Sequence, residues 1–248
     1  RNLFCSVKNR FWNYKKQEND VFKMMFLKSL KQFKIALFTG FILFSMNCRQ
    51  PVIPTEEDLA DYGWTLYETG KYQEAREWFY DAIAKDSSYA DGYNGIGWCF
   101  GKLRQADSAA VYFHISQTKP FDSYDTPDLD LDQYAGLTFA YSGMNLDSLV
   151  REYSTYVLVE RPELGPWYFS HDTKINYLDV RIELALAEFN MGYFTSCRDN
   201  LQSIYNDSYY QSFPSNIVKA LTMNLETLSG RAELAQELQS LQQTLKNI

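Results

Sequence analysis

The chain reads LADYGWTLYETGKYQEAREWFYDAIAK at residues 59–85 and YNGIGWCFGKLRQADSAAVYFHISQTK at residues 93–119. Each position of the second stretch follows its counterpart in the first by 34 residues. The identical pairs at this spacing include Gly63 with Gly97, Ala75 with Ala109, and Phe79 with Phe113. Apolar residues recur three or four positions apart on each side of a central turn, which is typical of paired amphipathic helices. Leu59–Pro120 therefore predicts two consecutive helix–turn–helix units.

The run Gly70-Lys71-Tyr72-Gln73-Glu74-Ala75, together with the 34-residue period, resembles the turn and second-helix start of a tetratricopeptide repeat (TPR). The resemblance implies an all-α solenoid of helix hairpins. Its helices are expected near 56–69, 72–85, 90–102 and 105–117, with Thr55 as the first N-cap and Asp58 completing a capping box. In this family the paired glycines stand where the helices pack closest, and the paired phenylalanines fill the core between repeats.

Two such units cannot bury their apolar faces alone, so further repeats are expected, about four to five within 56–248. A third copy starts 41 residues after the second and is marked by Tyr134, Leu137, Tyr141, Val150, Val157, Leu158 and Pro162. The inserted residues fit the loop Pro120–Asp130. A weaker fourth copy is marked by Leu184, Ala185, Gly192, Phe194, Cys197, Leu201 and Ile204, after the long aromatic linker Glu160–Lys174.

A fifth hairpin is predicted from about Ser215 to the end of the chain, with its turn at Ser229-Gly230. Its last helix has an apolar stripe formed by Leu234, Leu238, Leu241, Leu245 and Ile248. We expect this stripe to cap the solenoid; a dimer seam is the alternative.

The N-terminal region is interpreted as a targeting segment. Residues 1–23 have no usable period and are expected to be an unstructured or untranslated extension. Residues 24–47 have the layout of a secretory signal peptide, in which three lysines precede the apolar run Ile35–Met46. At 12 residues this run is shorter than the roughly 20 that a membrane-spanning helix needs, which favours a cleaved signal.

The apolar run is followed by Cys48, which resembles the lipobox of bacterial lipoproteins. In that family the signal is removed before the cysteine, which is acylated, so Cys48 would anchor the chain and 48–55 would be a tether. Asn47 and Ser45 depart from the family's small residue and leucine at these positions. Arg49 is not the aspartate associated with inner-membrane retention, which favours an outer-membrane lipoprotein facing the periplasm. A soluble secreted protein and a short anchor helix are the alternatives.

The charges of the two parts of the chain oppose each other. Residues 1–47 carry nine Lys/Arg and two acids, whereas the rest carries 15 Lys/Arg and 29 acids. An acidic body repels phosphate backbones, which argues against nucleic-acid binding.

No motif for catalysis, a cofactor or a metal stands out, so we expect a protein that is not an enzyme. Gly95–Gly101 lacks the spacing and preceding strand of a dinucleotide-binding loop. Asp128, Asp130 and Asp132 alternate as in a calcium loop, but the later ligand positions are wrong, and a solvated loop before the next helix is favoured. The histidines His114 and His171 have no cysteines at zinc-ligand spacing. Cys99 and Cys197 are predicted to lie on helices, buried and unreactive.

In TPR proteins the first helix of each pair lines a concave groove, and its second, fifth, ninth and twelfth positions face the ligand. The resemblance implies a groove formed by Glu57, Trp64, Tyr67, Asp91, Asn94, Trp98, Asp132, Phe139 and Asp179, with space at Gly101 and Ser142. Aromatic residues at its floor and acids at its edge suit a peptide or loop with apolar and basic residues. Alternatively, the aromatic residues add to the core and the acids complement helix dipoles. For the acids we favour this alternative, whereas for Trp64 and Trp98 we favour a binding role.

These features together predict a non-catalytic scaffold or adaptor of the bacterial cell envelope, which binds a protein or peptide partner in the groove and the membrane through its lipid. A structural subunit of an outer-membrane assembly or transport complex and a regulatory subunit of an envelope enzyme are the alternatives.

Overall fold

The computed structural model describes residues 53–122, 128–159, 165–213 and 219–246. The predictions for 1–23, for the signal segment 24–47 and for Cys48 lie outside this range. All the helices described below belong to the compact unit Pro54–Ile248.

The described part of the chain is all-helical, as predicted, with one isolated antiparallel bridge between Tyr168 and Asn176. Ten helices follow one another: α1 (Glu56–Glu68), α2 (Tyr72–Lys85), α3 (Ala90–Lys102), α4 (Ala106–Gln117), α5 (Leu129–Gly143), α6 (Asp147–Val157), α7 (Tyr177–Asn190), α8 (Phe194–Tyr205), the single turn α9 (Ser208–Gln211) and α10 (Leu228–Leu245). No helix in these ranges combines the length and the apolar character that are needed to cross a bilayer.

The first eight helices form four hairpins, α1/α2, α3/α4, α5/α6 and α7/α8, and each hairpin packs on the next. The predicted ends of the first four helices are correct to within one residue. The predicted capping box is also present: Asp58 N–H donates to Thr55 Oγ1, and Thr55 N–H donates to Asp58 Oδ2.

All four hairpin turns have the same backbone geometry. One residue of each turn lies in the left-handed region with φ between 57° and 81°: Gly70, Arg104, Asn145 and Gly192. The residue that follows it, the third after the end of each first helix, donates its N–H to a carbonyl five residues back: Lys71 to Leu66, Gln105 to Phe100, Leu146 to Tyr141, and Tyr193 to Glu188. These bonds satisfy carbonyls that a helix end leaves unpaired. The shared geometry aligns the third and fourth hairpins with the first two.

The joints of the first three hairpins are built around two buried phenylalanine rings. A Cβ atom on Gly63 or Gly95 would lie 2.9 or 2.5 Å from the Phe79 ring, and one on Gly97 or Gly136 would lie 2.7 or 2.2 Å from the Phe113 ring. Each ring is therefore held between a glycine of its own hairpin and a glycine of the next. Because the ring has glycines on both sides, it cannot move away from one without approaching the other.

The predicted fifth hairpin is wrong at its turn. Ser229 and Gly230 lie in the first turn of α10, which begins after the N-cap Thr227, and Thr227 Oγ1 accepts the Gly230 N–H at 3.0 Å. A Cβ on Gly230 would meet the Asn224 carbonyl oxygen at 1.9 Å, so this glycine permits a close backbone approach. The helix packs as a single layer on α7 and α8. Its leucine stripe is buried, as expected for a cap: Leu234, Leu238, Leu241 and Leu245.

We predict opposite effects of adding a methyl group at two glycines of α3. Gly97→Ala is expected to lower the free energy of unfolding by about 1–3 kcal/mol, because its Cβ would overlap the trapped Phe113 ring. Gly101→Ala is expected to raise it by about 0.5–1 kcal/mol, because its Cβ meets open space and alanine favours a helix. Urea denaturation of the full chain, followed by circular dichroism, measures both. Equal effects of the two substitutions would contradict the proposed packing of Phe113.

Candidate functional site

The first helices of the four hairpins lie side by side. Cα atoms of α1 and α3, of α3 and α5, and of α5 and α7 approach within 8 Å, whereas in the described ranges those of neighbouring second helices do not. An array whose first helices are closer together than its second helices curves toward the first helices. We call the face of α1, α3, α5 and α7 the inner face. It is the face on which the sequence analysis places the groove.

The inner face is covered by a segment of the same chain, residues 165–176, which we call the inner hairpin. Trp167 and Phe169 are 1% and 0% exposed, whereas the residues beside them are exposed, as in an extended strand. The backbone closes on itself: Phe169 N–H donates to the Ile175 carbonyl at 3.0 Å, and Tyr177 N–H donates to the Trp167 carbonyl at 3.1 Å.

Rings of the inner hairpin stack on the two predicted groove tryptophans. The His171 ring lies face to face with Trp64, with centroids 3.8 Å apart, and its Nδ1 is 3.0 Å from Glu68 Oε1. Phe169 stacks on Trp98 with centroids 4.0 Å apart. Each tryptophan is consequently only 4% exposed. That these tryptophans contact a partner stays a prediction; in this structure their partner is the chain itself.

Two indole–carboxylate hydrogen bonds lie at the start of successive first helices. Trp64 Nε1 donates to Asp91 Oδ2 at 2.7 Å, and Trp167 Nε1 of the inner hairpin donates to Asp132 Oδ1 at 2.8 Å. By repeat position, the counterpart of the Trp64–Asp91 bond would join Trp98 to Asp132. Trp98 Nε1 is instead buried without a hydrogen-bond partner among the described residues. Trp167 has thus taken the acceptor that the repeat assigns to Trp98.

The aspartates at these positions do more than complement helix dipoles. Burial raises the pKa of both Asp91 and Asp132, while the indole N–H bonds oppose this shift by stabilising the carboxylates. Asp91 also accepts from Asn94 Nδ2 at 3.2 Å. Together with exposed Glu57, Asp91 and Asp132 border an acidic cleft of about 310 Å³ beside the inner hairpin.

The remaining predicted groove residues fall into two groups. Tyr67 and Asn94 are buried, at 2% and 0% exposure, below the inner hairpin. Phe139 and Asp179 border an open pocket of about 440 Å³ between α3, α4, α5, α7 and the inner hairpin, where Gly101 provides the predicted space. The pocket has a mainly apolar lining, which includes Trp98, Gly136, Phe139, Ala140 and Ile175.

The pocket has two carboxyl groups on one wall and two cationic groups on the other. Asp179 and Glu183 lie one turn apart on α7, and neither has an ion-pair partner among the described residues. Burial raises the pKa of Asp179 to about 6 and also raises that of Glu183, which accepts a hydrogen bond from a serine of α5. On the opposite wall, Lys102 Nζ is paired with Asp172 Oδ2 at 2.7 Å, and Arg104 is exposed.

Sequence reasoning missed the contribution of the inner hairpin and of Glu183. The linker was recognised as long and aromatic, but its alternation of Trp167 and Phe169 was not interpreted as an extended stretch that leads into the turn at His171. That alternation is the signal that could have predicted a segment with one buried face. Glu183 occupies a first-helix position outside the four groove positions, so the resemblance did not select it.

Other candidate residues prove to be structural. The predicted solvated loop at Asp128–Asp132 is wrong from Leu129 onward, because α5 begins there and Asp132 is buried. His114 Nε2 lies 2.6 Å from the Tyr141 hydroxyl. Cys99 and Cys197 are buried free thiols, as predicted, and burial raises the pKa of each to about 12. No group of three or more potential metal ligands occurs within the described ranges.

Comparison of the chain with protein-family models gives no match, and neither does comparison with curated proteins. The case for a function therefore depends on the inner face, the pocket and the resemblance noted from the sequence.

The pKa difference between two capping aspartates predicts opposite pH effects. Asp179 and Asp58 both complete a capping box, but burial raises the pKa of Asp179 to about 6, whereas bonds from Thr55 lower that of exposed Asp58. The folded state therefore binds the Asp179 proton more tightly than the unfolded state does. Asp179→Asn, which keeps the acceptor, is expected to gain about 1–2 kcal/mol relative to wild type between about pH 4 and pH 7.

Asp58→Asn serves as the matched control with the opposite sign. The charged form of Asp58 is the stabilised one, so this variant is expected to lose stability relative to wild type as pH rises through the ordinary range of aspartate. Urea denaturation of the full chain at several pH values measures both effects. Parallel pH profiles of Asp179→Asn and wild type would show that burial does not perturb Asp179.

Proposed function

We propose that this protein is a non-catalytic interaction scaffold, a TPR-type array that binds a peptide or loop of a partner protein. The observation that carries the proposal is the open pocket of about 440 Å³ on the inner face, bordered by the predicted groove residues Trp98, Phe139 and Asp179. Pockets that bind side chains of partners are concave and apolar, with a few polar groups that fix orientation. This pocket has both properties.

The lining favours a partner segment with an apolar body and a basic tip. An aromatic and aliphatic floor formed by Trp98, Phe139 and Ile175 offers apolar contact. The carboxyl groups of Asp179 and Glu183 have no ion pair among the described residues, and burial disfavours their charged form. A partner's lysine or arginine would stabilise that charged form. On the opposite wall the charge of Lys102 is neutralised by Asp172, and exposed Arg104 offsets only part of the charge of the two carboxylates.

The cell envelope is the proposed location. The support is the signal-like segment 24–47 and the lipobox-like Cys48, both outside the described residues. Anchoring through Cys48 would attach the chain to a membrane, with 48–55 as the proposed tether. A structural subunit of an outer-membrane assembly or transport complex, or a regulatory subunit of an envelope enzyme, would use the same pocket.

Filling the pocket is expected to weaken partner binding. Peptides selected by phage display on the full chain should be enriched in apolar residues followed by lysine or arginine. Gly101→Leu, which places a side chain in open space, should weaken their binding at least about tenfold, or about 1.4 kcal/mol. Glu183→Gln should reduce the preference for basic residues. Val111→Leu adds the same residue at an exposed site of α4 and should change nothing. Undiminished binding by Gly101→Leu would overturn the assignment of the pocket.

The lipid anchor is tested by metabolic labelling with a radiolabelled fatty acid in a bacterial host. Wild type is expected to incorporate label, and Cys48→Ala to lose it, because only a thiol at this position can be acylated in the lipobox arrangement. Cys197→Ala is the matched control, since that thiol is buried. Label that persists in Cys48→Ala would exclude this cysteine as the anchor.

A further inference from the structure

Beyond the open pocket, we infer that the inner hairpin is a tethered ligand on a second binding surface, formed by α1, α3 and α5 below it. A partner segment in extended conformation, with aromatic side chains at alternate positions, takes its place there. This surface adjoins the pocket and shares Trp98 with it, and Ile175 of the inner hairpin belongs to the pocket lining. Its occupation does not require a ligand in the pocket.

The inner hairpin crosses the inner face as a bound peptide does. Trp167 bonds to α5 through Asp132, Phe169 stacks on α3 through Trp98, and His171 stacks on α1 through Trp64. Each of the three first helices is therefore engaged by a side chain of the hairpin, and Phe169 also contacts Trp64 and Tyr67 of α1. Trp167 to Phe169 is extended, with alternate side chains directed to the helices, and His171 follows in the turn of the hairpin. A bound peptide reads successive sites on a protein surface in the same way.

The hairpin contacts these helices only through side chains. Its main-chain hydrogen bonds in the described residues are made within the hairpin or to the start of α7, and none goes to α1, α3 or α5. Besides the ring contacts, three side-chain bonds fasten it: Trp167 to Asp132, Asp172 to Lys102, and His171 to Glu68. It can leave the surface with its own backbone bonds intact, so departure breaks no backbone bond to the array.

The surface has a second arrangement available to it. With the hairpin in place, Trp98 Nε1 is buried without a hydrogen-bond partner among the described residues, and Asp132 is bonded to Trp167. With the hairpin displaced, Trp98 can donate to Asp132, as Trp64 donates to Asp91 in the preceding repeat. A buried unpaired donor destabilises the state that contains it, so the exchange offsets part of the cost of exposing the buried rings of Trp167 and Phe169.

The tethered ligand sets the conditions for a partner. A competing segment must contain aromatic residues spaced as Trp167 and Phe169 are, with a hydrogen-bonding or cationic residue at the His171 position to face Glu68. Its apparent affinity is reduced by the fraction of molecules in which the surface is free. Loosening the hairpin should therefore increase binding without creating any new contact.

A synthetic peptide with the sequence of residues 165–172, GPWYFSHD, carrying a fluorescent label, is the probe. The double substitution His171→Ala/Asp172→Asn removes the stack on Trp64, the bond to Glu68 and the negative charge that pairs with Lys102, but leaves the two buried rings. Fluorescence anisotropy with the full chain is expected to show at least tenfold tighter binding to this variant than to wild type. Glu68→Gln/Lys102→Met loosens the same end from the helix side and should act in the same direction.

Controls separate this surface from others. His114→Ala removes the other histidine, which packs on Tyr141 away from the inner hairpin, and should leave peptide binding at the wild-type level. Gly101→Leu, which fills the open pocket, should also leave it unchanged. A peptide in which the residues that correspond to Trp167 and Phe169 are changed to alanine should not bind. Equal binding to wild type and to both loosened variants, or loss of binding in Gly101→Leu, would overturn the inference. Neither outcome bears on the proposed role of the pocket, which the phage-display peptides test separately.

Discussion

The array depends on a phenylalanine ring trapped between two glycines of successive first helices. Phe79 lies between Gly63 and Gly95, and Phe113 lies between Gly97 and Gly136. Because neither glycine has a side chain, the helix backbones come close enough for one ring to fill the space between them, and dense packing leaves no room for an added methyl group. The first helices are drawn together by this arrangement and the second helices are not, which produces the inner face on which the hairpin and the pocket lie.

The sequence predicts this part of the fold because the ring and the glycines are repeated at a fixed period. It predicts less where the same geometry is built from other residues. The left-handed turn position is glycine at 70 and 192 but Arg104 and Asn145 in the middle hairpins, which costs these residues about 1 kcal/mol each and hides the signal. After the second hairpin the buried position of Phe113 is taken by Ser154, so the joint no longer resembles the earlier ones. At Ser229-Gly230 a helix start has the same residues as a turn, and only the nearby Asn224 carbonyl distinguishes them.

The candidate site was predictable in its helices but not in what covers them. The groove positions follow from the repeat register, and those that carry Trp64, Trp98, Asp91 and Asp132 do lie on the inner face. The contact between Trp64 and His171 joins residues 107 positions apart, and no local period predicts such a pairing. The strand that makes it alternates over too few residues to be recognised against a helical background. Asp91 and Asp132 are likewise removed from water by the indoles of Trp64 and Trp167 that bond to them. Their position in the first turn of a helix does not predict this.

The inner hairpin also changes how the array holds together. In a solenoid each repeat contacts only its neighbours, so stability is a sum of local terms and the ends unfold separately. Here one segment touches α1, α3 and α5, and it comes from a part of the chain that follows all three. The first hairpin is therefore coupled to residues more than 100 positions away, which raises the contact order and favours unfolding as a single cooperative unit. The first three hairpins can form as the chain emerges, but their aromatic face stays open to water until Trp167 and Phe169 have been added.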